Sequence, residues 1–276
     1  MSLMAYHKPL PKPLFALQKE AGLSFLTDNA LFEACGVRVA FSARAGGVSK
    51  GAYASLNVGA HVGDEYAAVQ ENRARLVRAC GAKDMACIVP RQVHGTNLVF
   101  VEDKKDLTCV QSKASEGADG LIVSAKGVCA LMCFADCLPL IIVSPSGRFA
   151  VAHAGWRGAL AHIAKKAALA LAQVDEGCAT GDYNAYIGPH IRSECFECGS
   201  DVCGAFVDAF GAEVSPARDH VSLAFAVESD LVAAGLSCER ISDVGVCTKC
   251  QHDEWFSYRA SGGECGRHAA LCFCDR

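Results

Sequence analysis

Val128-Cys-Ala-Leu-Met-Cys-Phe-Ala-Asp-Cys-Leu-Pro-Leu-Ile-Ile-Val-Ser-Pro-Ser-Gly-Arg-Phe-Ala-Val-Ala-His-Ala-Gly-Trp-Arg-Gly158 is the stretch whose reading decides the fold. Its apolar runs predict three strands, over Val128–Phe134, Leu138–Val143 and Arg148–Ala152. Runs without polar alternation fit strands covered on both faces. Ser144-Pro145-Ser146-Gly147 supplies the turn between the last two. The polar groups gather at the strand ends: Asp136 and Cys137 before Pro139, then His153 ahead of Gly155, Trp156 and Arg157. A thiol and an imidazole at neighbouring strand ends are where chemistry is expected.

Outward from this centre the sequence predicts further strands and helices in one domain. On the N-terminal side, Val37–Phe41 reads as a strand entering a glycine-containing loop with Arg44. Asp64 is the expected N-cap of a helix reaching about Cys80. Strands are expected at Ala86–Val93, Asn97–Glu102 and Asp119–Ser124, with a polar loop over 103–118. On the C-terminal side, a helix from Gly158 to about Gln173 precedes a strand at Tyr183–Ile187. Helices at Ser200–Phe210 and Ala224–Ala234 and strands at Arg240–Val244 and His268–Cys274 complete the reading. Residues 1–23, with Pro9, Pro11 and Pro13, read as a flexible tail, and 24–276 as one catalytic domain. The opening Met-Ser-Leu before a second Met reads as an expression remnant.

Composition narrows the function. A net charge of −4 gives no basic footprint for nucleic acid. The apolar stretch around 127–147 is interrupted by Asp136 and Pro139, which argues against a membrane span. The N-terminus has no apolar core of a signal peptide. Seventeen cysteines, an odd number and many of them inside apolar runs, are expected to be reduced thiols of a cytoplasmic protein.

His94, Cys137 and His153 each follow an expected strand. Two imidazoles and a thiolate suit zinc, with a fourth position open to water or substrate, although no HxxxH or CxxC spacing links them. On spacing alone, a buried cysteine beside two ordinary histidines is the competing account. Asp136 adjoins this set as a proton carrier or a strand-end cap. Arg44 and Arg157 can bind an anion or form surface ion pairs. Cys195-x2-Cys198 and Cys247-x2-Cys250 resemble a four-cysteine zinc site, with far too wide a separation for a zinc ribbon.

Read together, SARAGGVSKGAYASLNVG, HVGD, RQVHG, ADGLIVS, FADCLPLIIVSP, AVAHAGWRG, IGPHI and the late FSYRASGGECGRHAALC resemble the laccase-domain (YfiH-type) family. That family is also described as multicopper polyphenol oxidases and as purine nucleoside phosphorylases. The resemblance implies an α/β (α+β) fold of central mixed β-sheets flanked by helices, akin to the deamidase domain of cytotoxic necrotizing factor toxins. It implies zinc, or copper, on His94, Cys137 and His153; on that reading Asp136, Cys137 and His153 are the candidate catalytic residues and Arg44, Asn57 and Arg157 the candidate substrate-binding ones. The implied activities are phosphorolysis of adenosine, inosine and methylthioadenosine and deamination of adenosine. The partners it implies are a purine nucleoside and phosphate, on a monomer or weak homodimer.

The family's tyrosine-glutamate-valine-glycine is replaced here by Cys195-Phe196-Glu197-Cys198-Gly199, and its second late arginine by Ala260. Alternatives remain. A copper-dependent polyphenol oxidase needs more imidazoles than the nine histidines present, many of them in His-x-His pairs, and no such pair occurs. A single His2Cys blue-copper-like centre is compatible with the donors. Cys137 with His153 as base would make a hydrolase or deamidase, acting for instance on a muramyl precursor. A pocket that only stores metal is the non-enzymatic reading.

Overall fold

The computed structural model describes residues 7–276. In chain order the elements are β1 (Ala16–Glu20), β2 (Leu23–Thr27), α1 (Asn29–Cys35), β3 (Val37–Ser42), α2 (Tyr66–Ala79), β4 (Ala86–Ile88) and β5 (Leu98–Val101). Then come α3 (Leu107–Glu116), β6 (Gly120–Val123), β7 (Val128–Phe134), β8 (Leu138–Val143), β9 (Phe149–Ala154), α4 (Trp156–Leu160) and α5 (Ile163–Val174). The chain closes with β10 (Asn184–Ile187), α6 (Ser200–Phe210), α7 (Leu223–Ala233), β11 (Ile241–Asp243) and β12 (His268–Cys274). Two six-stranded sheets result, ordered β1-β2-β3-β12-β7-β4 and β11-β10-β8-β9-β6-β5. Both are mixed: β4–β7, β5–β6 and β10–β11 are parallel, the other neighbours antiparallel.

Side-chain alternation explains why the central strands are apolar on both faces. Ala130, Met132 and Phe134 of β7 join Ile141, Val143, Phe149 and Val151 of the second sheet in one buried cluster between the sheets. The intervening Cys129, Leu131 and Cys133 face Leu76 and Cys80 of the α2 segment. On the far side, Leu138, Leu140 and Ile142 pack with Ile163, Ala167 and Leu171 of α5 and Val227 of α7. Each large aliphatic side chain removed from water in this way contributes about 1.5–3 kcal/mol. The cysteines at Cys129, Cys133 and Cys272 serve as small apolar side chains, and all seventeen are free thiols.

Several expectations need correction. Residues 1–6 of the expected tail lie outside the described residues, but Ala16–Glu20 pairs with Leu23–Thr27 as an edge hairpin, so order begins well before residue 24. Helix α2 starts at Tyr66 without a side-chain cap; the Asp64 carboxylate instead accepts from Ser49 Oγ at 2.6 Å and Asn57 Nδ2 at 2.9 Å. The polar 103–118 loop contains α3, which packs Val110, Ala114 and the half-buried Leu107 against the core beside β5 and leaves its remaining residues to solvent. The expected strand to Val93 stops at Ile88. The helix after Gly158 is broken, because His162 adopts a φ of 61° between α4 and α5.

The site's position follows from topology. β7 and β8 are consecutive in sequence yet lie in different sheets, so Ala135-Asp136-Cys137 must carry the chain from one sheet to the other. Asp136 makes that turn at a φ of 84°, in the left-handed region that non-glycine residues seldom adopt.

Candidate active site

Cys137 stands at this crossing, and His153 lies on β9 directly across from Pro139 of β8. His94 arrives from the connection between β4 and β5. Gln92 guides it there: its side-chain amide donates to Cys133 O and its carbonyl accepts from Cys133 N, both at 2.8 Å, extending the edge of β7. His94 itself is at a φ of 61°. The Asp119 carboxylate holds it so, accepting from the successive amides of Val93, His94 and Gly95 at 3.2, 2.9 and 2.7 Å. Consecutive amides converging on one anion compensate the strained backbone.

Asp119 also meets His153 Nδ1 at 2.9 Å. That bond assigns the Nδ1 proton to the carboxylate side and leaves Nε2 as the free donor. The donor atoms of His94, Cys137 and His153 all lie within 4.8 Å of one another. Gly155 completes the cradle. A Cβ there would sit 3.0 Å from His94 Cδ2, 3.2 Å from Cys137 Sγ and 3.5 Å from His153 Cε1, so any larger residue would crowd the three side chains.

Electrostatics favour the charged forms. Burial pushes the Cys137 thiol up, but the His153 cation and hydrogen bonds from His153 and His94 prevail and bring it down to about 6. Burial lowers His153, yet the Cys137 thiolate and the Asp119 carboxylate raise it to about 9. Asp119 is raised by burial and lowered more by the His153 bond and the Gly95 amide, ending below the usual carboxylate range. A thiolate and two imidazoles, one braced by a carboxylate, can hold a borderline-soft divalent ion with a coordination position to spare.

The donors open into a cavity of about 430 Å³, within the range of small-ligand sites. Trp156, Phe196 and Tyr258 give it aromatic walls, and His61, Arg259 and Arg267 give it polar ones. Arg267 lies 5.7 Å from the Tyr258 ring centre and Arg259 5.8 Å from that of Phe196.

Of the residues expected from sequence, His94, Cys137, His153 and Asp136 line this cavity; Arg44, Asn57 and Arg157 do not. Arg44 donates to the carbonyls of Ala54 and His252 and stacks on Phe256, which makes it a crosslink between loops. Asn57 is fully buried and accepts the Arg267 amide at 2.8 Å, so it acts on the cavity only by placing that arginine. Arg157 is exposed over the Trp156 ring. Asp136 accepts from Thr248 Oγ1 at 2.6 Å and the Arg259 amide at 2.7 Å, which makes it an anchor for the late loops rather than a free proton carrier.

Sequence reasoning missed Asp119 as a site residue, and with it Gln92, His61, Tyr258, Arg259 and Arg267. Asp119 had one legible signal, an acid placed immediately before an apolar strand. Of the four expected cysteine ligands elsewhere, Cys195, Cys247 and Cys250 converge, whereas Cys198 faces Cys203 with sulfurs 3.1 Å apart.

Comparison with known proteins agrees with this architecture. The family model described as multi-copper polyphenol oxidoreductase laccase matches residues 38–275. The chain is 32% identical over 243 residues to adenosine deaminase RL5 of an unknown prokaryotic organism, covering 83% of this chain and 90% of that protein. It is 35% identical over 236 residues to purine nucleoside phosphorylase YlmD of Geobacillus stearothermophilus, covering 82% and 86%. The crystal structure of YlmD from that organism superposes with a TM-score of 0.82 at 31% identity, over 94% of this chain and 99% of that one.

Proposed function

The chain belongs to the multi-copper polyphenol oxidoreductase laccase family, and from that premise we propose that it is a zinc-dependent purine nucleoside phosphorylase that also deaminates adenosine. One observation carries the reading: the two-imidazole, one-thiolate cluster of His94, Cys137 and His153 forms the floor of a cavity with aromatic and cationic walls. His94, Cys137 and His153 would hold the zinc, which supplies Lewis acidity toward water or a phosphate oxygen.

The chain's own groups account for the rest. Trp156, Phe196 and Tyr258 cover a purine and a ribose with apolar surface. Arg259 and Arg267 replace Arg44 and Arg157 as the cations that receive phosphate for attack at the ribose C1′. Asp119 fixes the His153 tautomer, and Asp136 positions the loop that carries Arg259. Zinc is favoured over copper oxidase chemistry because the described residues bring just two histidines, His94 and His153, into a donor cluster, too few for a multinuclear copper centre. No described helix is long and apolar enough to cross a membrane.

A second reading has its own support. Without metal, Cys137, His153 and Asp119 form a thiolate–imidazolium–carboxylate series, the arrangement of a cysteine hydrolase. Metal content and phosphate-dependent release of adenine from adenosine, before and after chelation, separate the two. Zinc bound at this cluster, with activity lost on chelation and restored by zinc, supports the phosphorylase. Activity that survives chelation and is abolished by thiol alkylation overturns it in favour of the hydrolase.

A further inference from the structure

Outside the cavity floor, one further group of metal-ligating side chains converges among the described residues: Cys195, Cys247 and Cys250, whose sulfurs all lie within 4.8 Å of one another. The Cys195 and Cys250 sulfurs are 3.4 Å apart, far beyond the roughly 2.04 Å of a disulfide. Four-coordinate zinc with Zn–S bonds near 2.3 Å spaces its sulfurs by about 3.8 Å, inside the span these three already occupy. We propose that Cys195, Cys247 and Cys250 form a second metal centre, a three-thiolate zinc site with its fourth position open to solvent.

The local backbone is built for thiolates. Cys247-Thr248-Lys249-Cys250 turns back on itself, with Gln251 N donating to Cys247 O at 3.0 Å. The Arg192 amide donates to Cys247 Sγ at 3.5 Å. Amides directed at a sulfur stabilise its ionised form and orient it for a cation. Cys250 is exposed and Cys195 half-buried, which leaves the ion an entry path and the fourth position to water. Cys198, the remaining member of the two CxxC pairs, is engaged with Cys203 and is not part of the group.

The location gives the site a purpose. Cys195 precedes Phe196, a cavity wall, and Glu197, whose carbonyl accepts from Arg259. Cys247 precedes Thr248, which donates to Asp136. A zinc ion on the three sulfurs ties these two segments together behind the cavity, while leaving His94, Cys137 and His153 untouched.

Native mass spectrometry of the full chain, purified under reducing conditions and supplied with zinc, tests the proposal. Two zinc ions per chain are expected in the wild type, and one each in Cys195→Ser, Cys250→Ser and His153→Ala. Cobalt loaded into His153→Ala with Cys137→Ser should retain strong near-ultraviolet thiolate bands, which Cys195→Ser then removes. Should a variant fail to fold, wild-type alkylation mapping decides alone: zinc must protect Cys195, Cys247 and Cys250. One zinc in the wild type and none in His153→Ala overturns the proposal, as does unhindered alkylation of the three cysteines with zinc present. A Cys195–Cys250 disulfide in the reduced, zinc-supplied protein overturns it as well. Because the two sites share no residue, loss of metal from the cavity floor lowers the total by one and leaves the zinc on the three sulfurs in place, so failure of the proposed phosphorylase site does not overturn this one.

Discussion

His153 Nδ1 and the Asp119 carboxylate are joined at 2.9 Å, and the same carboxylate accepts the backbone amide of His94. One buried acid therefore sets both imidazoles of the donor cluster, one through its ring and the other through its main chain. Replacing Asp119 with Asn removes the charge and turns one acceptor into a donor facing N–H groups. Zinc affinity, measured by competition with a chromophoric chelator, should fall about 10–100-fold. Phosphorolysis at limiting zinc should fall with it, and excess zinc should restore part of it.

Gly155 offers a cleaner perturbation of the same donors. Its φ of −69° suits any residue, so Gly155→Ala strains no backbone. The new methyl would instead press on His94 Cδ2 at 3.0 Å and Cys137 Sγ at 3.2 Å. The overpacking should cost about 1–3 kcal/mol of stability in a denaturant titration. Zinc content should drop in protein that remains folded, and circular dichroism checks the fold.

Continuous apolar runs made β7 and β8 legible to the residue, because strands buried on both faces carry no competing polar period. Which sheet each joins was not legible. That depends on the pairing of β12 with β3 and β7, contacts between chain segments more than a hundred residues apart. The β1–β2 hairpin escaped because β1 is an exposed edge strand lying just after three prolines. The α4–α5 break escaped because His162, with neither glycine nor proline beside it, supplies the turn. At the site, His94, Cys137 and His153, which the structure brings together, were joined in the sequence only by the family motifs around them, since no ligand spacing links them. The cavity arginines could not be read from sequence, since Arg44 and Arg259 look alike until the acceptors around each guanidinium are known.

Acidity should act first on Cys137 in the metal-free protein. Its thiol titrates near 6 instead of its ordinary 9.0, so the thiolate is present above pH 6 and is lost as pH falls through that value. The rate of alkylation by iodoacetamide, followed by mass spectrometry, should rise through pH 6 and stay level until His153 loses its proton near 9. Asp119→Asn should move the lower midpoint upward, because a weaker imidazolium stabilises the thiolate less. Zinc should suppress the reaction across the range.

Two buried histidines should make the fold less stable in acid. Burial lowers His190 to about 4 and His268 to about 3, against an ordinary value of 6.5. Both are neutral in the folded chain, and the unfolded chain binds the extra protons. Their contribution is therefore complete above pH 6.5 and is lost progressively as pH falls toward 4 and 3. At 1.36 kcal/mol per pH unit, that loss is about 3 kcal/mol for His190 and about 5 kcal/mol for His268. Urea midpoints should be level from pH 8 to 7 and fall steadily below 6.5. His268→Phe, which fits between Phe134 and Trp255, should flatten that slope.

Variants of Arg259 and Arg267 should separate phosphate use from nucleoside use. Both line the cavity, while Arg44 is tied to the carbonyls of Ala54 and His252 and Arg157 lies exposed on Trp156. A hydrogen bond to a charged group contributes about 1.5–3 kcal/mol, a factor of roughly ten to a hundred. Arg267→Ala and Arg259→Ala should therefore lower kcat/KM for phosphate in phosphorolysis by about that factor. Deamination of adenosine, which uses no phosphate, should change far less. Arg157→Ala should leave both activities near the wild-type level, and Arg44→Ala should lower the melting temperature with little effect on the KM for phosphate. Initial rates at varied phosphate, with adenine and inosine quantified in parallel, check all four variants. Equal loss of both reactions in the Arg267 and Arg259 variants would move these residues from phosphate to the nucleoside itself.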